Sequence, residues 1–319
     1  MNNRRNFLQT SSLVTTGFLL GKPFKTIAGI TGGSLQGESP ALNTISVLYT
    51  ADLYGQVGSF NLGRLNRIGG LKNIYSTIKQ DSPSQLLLDG GDFLDEKGTF
   101  EDHTSMIAMM NKTGYYASTL GDQELSNGED HLASLIPLMD FKLVNCNYEF
   151  RNPDLKSKIL KFHIVNHNGY RVGLTGVGPD IPHRSSAGIV YHHPYKIANE
   201  VATYLKKQLN CDMVICLSHL GLEHKNDGPN NKNFAASSKN IDVIIGGHNN
   251  AIAHPQMALR NSQKSQVIIG NAAYGGSILG KLQFSFNEQK EMRLFTCKNF
   301  IPGAMSNSSF YPDYKQLCA

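Results

Sequence analysis

From Thr44 onward, short apolar runs alternate with amphipathic stretches, the pattern of strands exchanging with helices. Ile45 to Tyr49 reads as a first strand that ends at Thr50-Ala51-Asp52. Gly69 to Gln80 carries helical spacing through Leu71, Ile74 and Ile78, and Leu86-Leu87-Leu88 is a buried strand running into Gly90-Gly91-Asp92. A helix follows with Met106, Met109 and Met110 on one stripe, which reads as core packing rather than as a cofactor box. Further strands are expected at Phe141 to Asn145, Tyr170 to Thr175, Met213 to Leu217 and Val243 to Ile245, with an amphipathic helix over Tyr195 to Leu209. The last strands, Gln266 to Ile269 and Lys281 to Phe286, are joined by a Gly-rich turn. No internal repeat or clear linker follows Leu42, so residues 43–319 read as one α/β domain.

Polar residues recur just after the carboxyl ends of these apolar strands: Asp52, Asp92, His219 and His248. In open α/β sheets that edge is where ligands bind, because strand ends and helix starts leave a crevice there. Carboxylates and imidazoles at separate strand ends can converge on one cation, and this donor set suits Zn²⁺, Mn²⁺ or Fe. Each position has a bland reading as well. An Asp after a strand is often a helix N-cap, and a buried His is often a hydrogen-bonded core residue. Four such positions in order strengthen the metal reading, but spacing alone leaves both open.

Composition narrows the class. The 319 residues are 40% hydrophobic and 17% charged, the profile of an ordinary globular protein. The net charge of +5 is modest and scattered, which argues against a nucleic-acid polymer as partner while leaving an anionic small molecule acceptable. No apolar run approaches the roughly 20 residues that span a bilayer. The five cysteines, Cys146, Cys211, Cys216, Cys297 and Cys318, make an odd count with no CxxC pair, and most read as small core residues.

The N-terminus reads as an address. Arg4-Arg5 stand before Asn6-Phe7-Leu8, a mildly apolar stretch runs from Leu13 to Leu20, and small residues follow near Thr26-Ile27-Ala28. That order fits a signal peptide over residues 1–28, and the paired arginines resemble a twin-arginine signal. A Gly/Ser-rich linker would occupy 29–42. Export to the periplasm or cell envelope is the expectation.

Five segments occur in order: V-L-Y-T-A-D-L-Y-G-Q, L-L-L-D-G-G-D-F-L, G-Y-Y-A-S-T-L-G-D-Q-E-L-S-N-G, V-I-C-L-S-H-L-G and I-D-V-I-I-G-G-H-N-N. Together they resemble the metal-site blocks of calcineurin-like metallophosphoesterases, specifically the 5′-nucleotidase branch, over about Thr44 to Phe286. The resemblance implies a four-layer α/β/β/α sandwich with two mixed β-sheets. It also implies two divalent metals and phosphate-ester hydrolysis by a metal-activated hydroxide.

The chain departs from that pattern at identifiable positions. By resemblance, Asp52 and Asp92 are metal ligands, and Tyr54 stands where a His would join Asp52. Asp122 replaces a ligand Asn, and Gln123 replaces the His that assists the leaving group, so Asp122 and Gln123 hold the catalytic positions. His219 and His248 are ligands, and Asn250 replaces a second His. The shell of one metal (Asp92, Asp122, His219, His248) is therefore complete, whereas the other keeps only Asp52 and Asp92. A phenol with ordinary pKa of about 10 is a poor ligand, and an amide cannot donate a proton as imidazolium can.

Three outcomes are compatible with these losses. One is a hydrolase with a single divalent metal, and another is a catalytically silent module that binds a metal, nucleotide or protein partner. The third is a two-metal enzyme rescued by His103, His224 or His254, each of which reads more simply as a surface residue. The base-binding domain of larger relatives has no counterpart, so a separate substrate-recognition chain is conceivable. The aromatics Phe295, Phe300, Phe310, Tyr311 and Tyr314 are expected to pack back onto the sandwich. The reading is an exported, 5′-nucleotidase-like hydrolase of phosphate esters or nucleotides with a reduced one-metal site.

Overall fold

Along the strand Thr44–Thr50, Ile45, Val47 and Tyr49 face one apolar cluster and Leu48 faces another. A strand buried on both faces belongs to the middle of a layered structure. The same alternation recurs elsewhere. Leu86 and Leu88 join the first cluster and Leu87 the second, while Met213, Ile215 and Leu217 join the first and Val214 and Cys216 a third. The cluster shared by both sets of strands lies between two sheets, and each outer cluster lies between one sheet and its helices. Four layers follow from strand alternation alone. This computed structural model describes residues 44–63, 65–81, 84–181, 188–223, 228–248 and 256–304, with the backbone of Phe18–Leu19.

The first sheet runs in the spatial order Phe18–Leu19, Met292–Phe300, Leu279–Phe286, Thr44–Thr50, Leu86–Asp89, Ala117–Ser118, Lys142–Leu143. Thr44–Thr50 pairs antiparallel with Leu279–Phe286 and parallel with Leu86–Asp89, so the sheet is mixed. The second sheet runs Gln256–Arg260, Gln266–Asn271, Val243–Gly246, Met213–Ser218, Tyr170–Val177, Phe162–His167. Its four middle strands are parallel and its edges antiparallel.

Helices close the outer faces. Phe100–Thr113 starts with a capping box between Thr99 and Asp102 and ends at Gly114 in the left-handed region (φ 89°). Its Met106, Ile107 and Met110 pack with Leu71 and Ile74 of the helix Leu71–Ile78. On the other face, Pro194–Lys207 begins with proline in its first turn and buries Ala198, Ala202 and Leu205 at helical spacing. The four-layer α/β/β/α arrangement is the one the sequence resemblance implies.

Besides several short strands of two to four residues, three longer ones have no counterpart in the apolar pattern: Phe162–His167, Gln256–Arg260 and Met292–Phe300. Each is only partly buried, so its sequence lacks a clean apolar run. Phe295 and Phe300 do pack back onto the core. His103 corrects an expectation, because it is 1% exposed rather than a surface residue. Its Nδ1 lies 2.8 Å from His131 Nε2 and its Nε2 lies 2.7 Å from the Asp95 carbonyl, so neighbouring elements of the helical layer take both ring nitrogens. Cys146, Cys211, Cys216 and Cys297 are unpaired thiols. The expected signal segment and linker (except the backbone of 18–19), Asn249, Asn250, His224, His254, Cys318, Phe310, Tyr311 and Tyr314 lie outside the described residues.

Candidate metal centre

Parallel strands place their carboxyl ends on one edge, and the five sequence blocks meet there. Thr50, Asp89, Ser118, Ser218 and Gly246 end their strands, and Asp52, Asp92, Asp122, His219 and His248 follow within a few residues. The loops after Thr44–Thr50 and Leu86–Asp89 are zipped together by backbone hydrogen bonds. Asp52 N–H donates to Gly91 O, Tyr54 N–H to Asp92 O and Gly55 N–H to Phe93 O, each at 2.9 Å. Four residues of the centre adopt positive φ: Asp52 (55°), Tyr54 (47°), Asp92 (57°) and His248 (90°). Non-glycine residues there cost on the order of 1 kcal/mol or more each, and such strain gathers at functional sites.

Asp52, Asp92 and His219 are buried and each offers a ligand atom within 4.8 Å of the others. His219 Nε2 lies 3.0 Å from Asp92 Oδ2 and 3.8 Å from Asp52 Oδ1. Its Nδ1 lies 2.8 Å from the Gly90 carbonyl, so the Nδ1–H donates there and fixes the tautomer. Nε2 is left buried without a properly directed hydrogen bond. A fixed imidazole whose free nitrogen faces two carboxylates fits a divalent cation, with the backbone carbonyl as its outer support. His248 extends the group. Its N–H donates to both Asp52 oxygens (2.9 and 3.0 Å) and its Nδ1 lies 3.4 Å from Asp122 Oδ2. Its ring centroid is 5.1 Å from that of His219. The structure thus gathers Asp52, Asp92, Asp122, His219 and His248 at one place.

Charge crowding supports the same assignment. Burial, with Asp92 close by, pushes the Asp52 carboxyl up to about 6. Burial and then Asp92 raise Asp122. Burial also acts against the ionised form of Asp92, but His219 outweighs it and holds Asp92 below the usual range. His219 is raised well above its ordinary value, since the charge of Asp92 overcomes the burial that would lower it. Buried carboxylates at this density call for a positive charge among them.

Gln123 reaches elsewhere. Its Oε1 accepts from Glu96 N–H at 2.9 Å, and its own N–H donates to Asp92 Oδ1 at 2.9 Å. Tyr54 makes a side-chain hydrogen bond with Asp52, and its ring lies 5.4 Å from that of Tyr274.

Two buried carboxyls that strand-end spacing does not single out hold the loops. Glu124 accepts from Asp92 N–H (3.0 Å), Leu94 N–H (3.0 Å) and Gly121 N–H (2.8 Å), clasping the second block to the third. Asp89 accepts from Thr50 Oγ1, Ser118 Oγ and Gly91 N–H at 2.7–2.9 Å, tying three strand ends. Burial raises Glu124 to about 8 and Asp89 to about 7. The one sequence signal for them is an acid inside an otherwise apolar or glycine-bounded stretch, Leu86-Leu87-Leu88-Asp89 and Gly121-Asp122-Gln123-Glu124.

No family model matches the sequence. Relatives do. Rat 5′-nucleotidase is 28% identical over 204 residues, covering 59% of this chain and 33% of that protein. The trifunctional nucleotide phosphoesterase protein YfkN of Bacillus subtilis is 24% identical over 249 residues, covering 66% of this chain and 16% of that protein. The match therefore spans only a minor part of each relative's length. Among solved structures, the 5′-nucleotidase precursor of Thermus thermophilus superposes with a TM-score of 0.70 at 20% identity, covering 81% of this chain and 54% of that one. A crystal structure of calcineurin-like phosphoesterase YfkN superposes with a TM-score of 0.63 at 21% identity, covering 82% and 90%. The chain is similar to the 5′-nucleotidases and to a calcineurin-like phosphoesterase, over part of the length of the curated relatives.

Proposed function

We propose that the protein is an exported, divalent-metal-dependent hydrolase of phosphoric monoesters of the nucleotide class, working with a reduced one-metal centre. The observation that carries the reading is the buried trio Asp52, Asp92 and His219, with His219 Nε2 turned toward both carboxylates. Asp122 and His248, with His248 Nδ1 3.4 Å from Asp122 Oδ2, are the further donors. A bound divalent ion supplies positive charge for phosphoryl oxygens and acidifies a water. The chain's own contribution is position. Gly90 O orients His219, the His248 N–H orients Asp52, and Glu124 and the Gln123 N–H hold Asp92. The reduction to one metal rests on Tyr54, whose phenol hydrogen-bonds Asp52 where an imidazole ligand would be expected, and on Asn250.

A second reading has one observation in its favour. Gln123 cannot act as a proton donor, and its amide oxygen is occupied by Glu96 N–H. A silent module that binds a metal or nucleotide would look the same. Hydrolysis of p-nitrophenyl phosphate and of a 5′-nucleotide, with Mn²⁺, Zn²⁺, Co²⁺ or Mg²⁺, separates the two. Activity is expected in the wild type and none above background in His219→Ala, with one equivalent of metal by elemental analysis. Two equivalents in the wild type would overturn the one-metal assignment, and metal binding without hydrolysis would favour the silent module. Export rests on Arg4-Arg5 and the apolar stretch behind them. Cell fractionation should recover the protein outside the cytoplasm, and an Arg4→Lys, Arg5→Lys chain should be retained; equal export of both would refute the twin-arginine route.

A further inference from the structure

Beside the metal centre lies an aromatic surface that the hydrolytic residues leave unused. Tyr274 is a large hydrophobic side chain that stays 41% exposed. Its ring centroid is 5.4 Å from that of Tyr54 at an interplanar angle of 30°, a tilted near-stack. Phe60 meets it edge-on at 5.6 Å and 81°. Tyr54 and Phe60 lie six residues apart after the strand Thr44–Thr50, and Tyr274 joins them from a segment more than 200 residues away.

The backbone is shaped to hold it. Gly275 N–H donates to Asp52 O at 2.7 Å, and Gly70 N–H donates to Gly275 O at 2.8 Å. Gly275 has φ 59°, and a Cβ there would lie 2.7 Å from Phe60 Cε1; a Cβ on Gly69 would lie 2.4 Å from the same atom. Glycine at both positions lets Phe60 come close and fixes the turn carrying Tyr274 on the Asp52 loop. Tyr54 joins the two regions, since its side chain hydrogen-bonds Asp52 and its ring faces Tyr274. The aromatic surface therefore begins at the edge of the metal centre.

We propose that Tyr54, Tyr274 and Phe60 form a stacking subsite for the nucleobase of a nucleotide whose phosphate is held at Asp52, Asp92 and His219. The inference rests on the reading of that centre as a phosphate-ester site and adds the recognition of the organic group. Bases stack on aromatic side chains with little regard to sequence identity, because every base presents a π-face. An exposed Tyr274 ring backed by the half-buried Tyr54 and Phe60 next to a phosphate site suits that mode, and it gives a purpose to a phenol where a metal-binding imidazole would be expected.

The test is equilibrium binding by calorimetry to the full chain loaded with Mn²⁺. Two probes are compared: the phosphonate analogue of AMP, whose P–C bond a hydrolase cannot cleave, and an aliphatic phosphonate of similar charge. The variants are Tyr274→Ala and Tyr274→Phe. Tyr274→Ala is expected to weaken the AMP analogue by about tenfold and to leave the aliphatic probe within about twofold of wild type. Tyr274→Phe should bind both as the wild type does. Equal binding of the AMP analogue to wild type and Tyr274→Ala, or equal losses for both probes, would overturn the subsite while the phosphate reading stands. If neither probe binds the wild type, the phosphate reading fails and the subsite fails with it.

Discussion

A Gly121→Ala substitution is expected to lower affinity for the divalent ion by about 100-fold or more and to abolish hydrolysis, although it adds a single methyl group. A Cβ at this position would lie 2.2 Å from Asp92 Oδ1, 2.6 Å from His219 Cδ2 and 2.7 Å from His219 Nε2. All three distances are well inside van der Waals contact, and the atoms belong to two of the three buried donors. Neither donor can yield freely. His219 is fixed by Gly90 O, and Asp92 accepts the Gln123 N–H. Overpacking of this kind costs about 1–3 kcal/mol in an ordinary core, and here the displaced atoms are ligands. Gly58→Ala is the matched control, because a Cβ there meets nothing within 4 Å. Calorimetric titration with Mn²⁺ checks the pair. Wild-type affinity in Gly121→Ala would show that the donors are not where the ion binds.

The metal-free protein is expected to lose stability as pH rises from 5 to 8, and a divalent ion should restore the part of it that arises at Asp52 and His219. Asp52, Asp89 and Glu124 have folded-state values raised to about 6, 7 and 8. In the unfolded chain such groups ionise near 4. Between those values the unfolded chain has released protons that the folded chain retains, so each upward step in pH favours unfolding. His219, raised well above its ordinary value, acts in the same direction above about 6.5. Asp92, held below the usual range, is ionised in both states across this window and contributes no slope. At about 1.4 kcal/mol per pKa unit, the three carboxyls together give a fall in melting temperature on the order of 10 °C. A cation among Asp52, Asp92 and His219 replaces the protons held there but not those of Asp89 and Glu124, so the melting temperature should rise more with Mn²⁺ at pH 8 than at pH 5. Differential scanning calorimetry with and without chelator reads both effects. A melting temperature that climbs from pH 5 to pH 8 without metal would mean that these carboxyls ionise without penalty.

How far the site was legible can be judged from single residues. Asp52, Asp92, His219 and His248 were visible because each follows a local signal, an apolar run that ends in a polar residue at a strand's carboxyl end. The same locality accounts for the strands Thr44–Thr50, Leu86–Asp89, Met213–Ser218 and Val243–Gly246, whose side chains are buried on both faces. Where one face is wet, the signal weakens. Met292–Phe300 buries only Phe295 and Asn299 and has arginine and lysine at exposed positions, so it carries no clean apolar pattern. His103 differs for another reason, since it is buried against His131 of another helix, a contact that no local pattern shows.

By itself the sequence determined the alternation of strands and helices, the order of the five blocks and the substitutions at Tyr54, Gln123 and Asn250. All of these are carried by neighbours along the chain. Only the tertiary structure decided which nitrogen of His219 faces the carboxylates, because Gly90 O, which accepts the Nδ1–H hydrogen bond, is 129 residues away. It likewise decided that the His248 N–H would hold Asp52, across 196 residues. The clasp of Glu124, the turning of Gln123 toward Glu96 and the meeting of Tyr54 with Tyr274 belong to the same class. Sheet pairing and the positive-φ turns after each strand bring these groups together, and no periodicity in a linear sequence encodes a contact between segments that meet only after both sheets have formed.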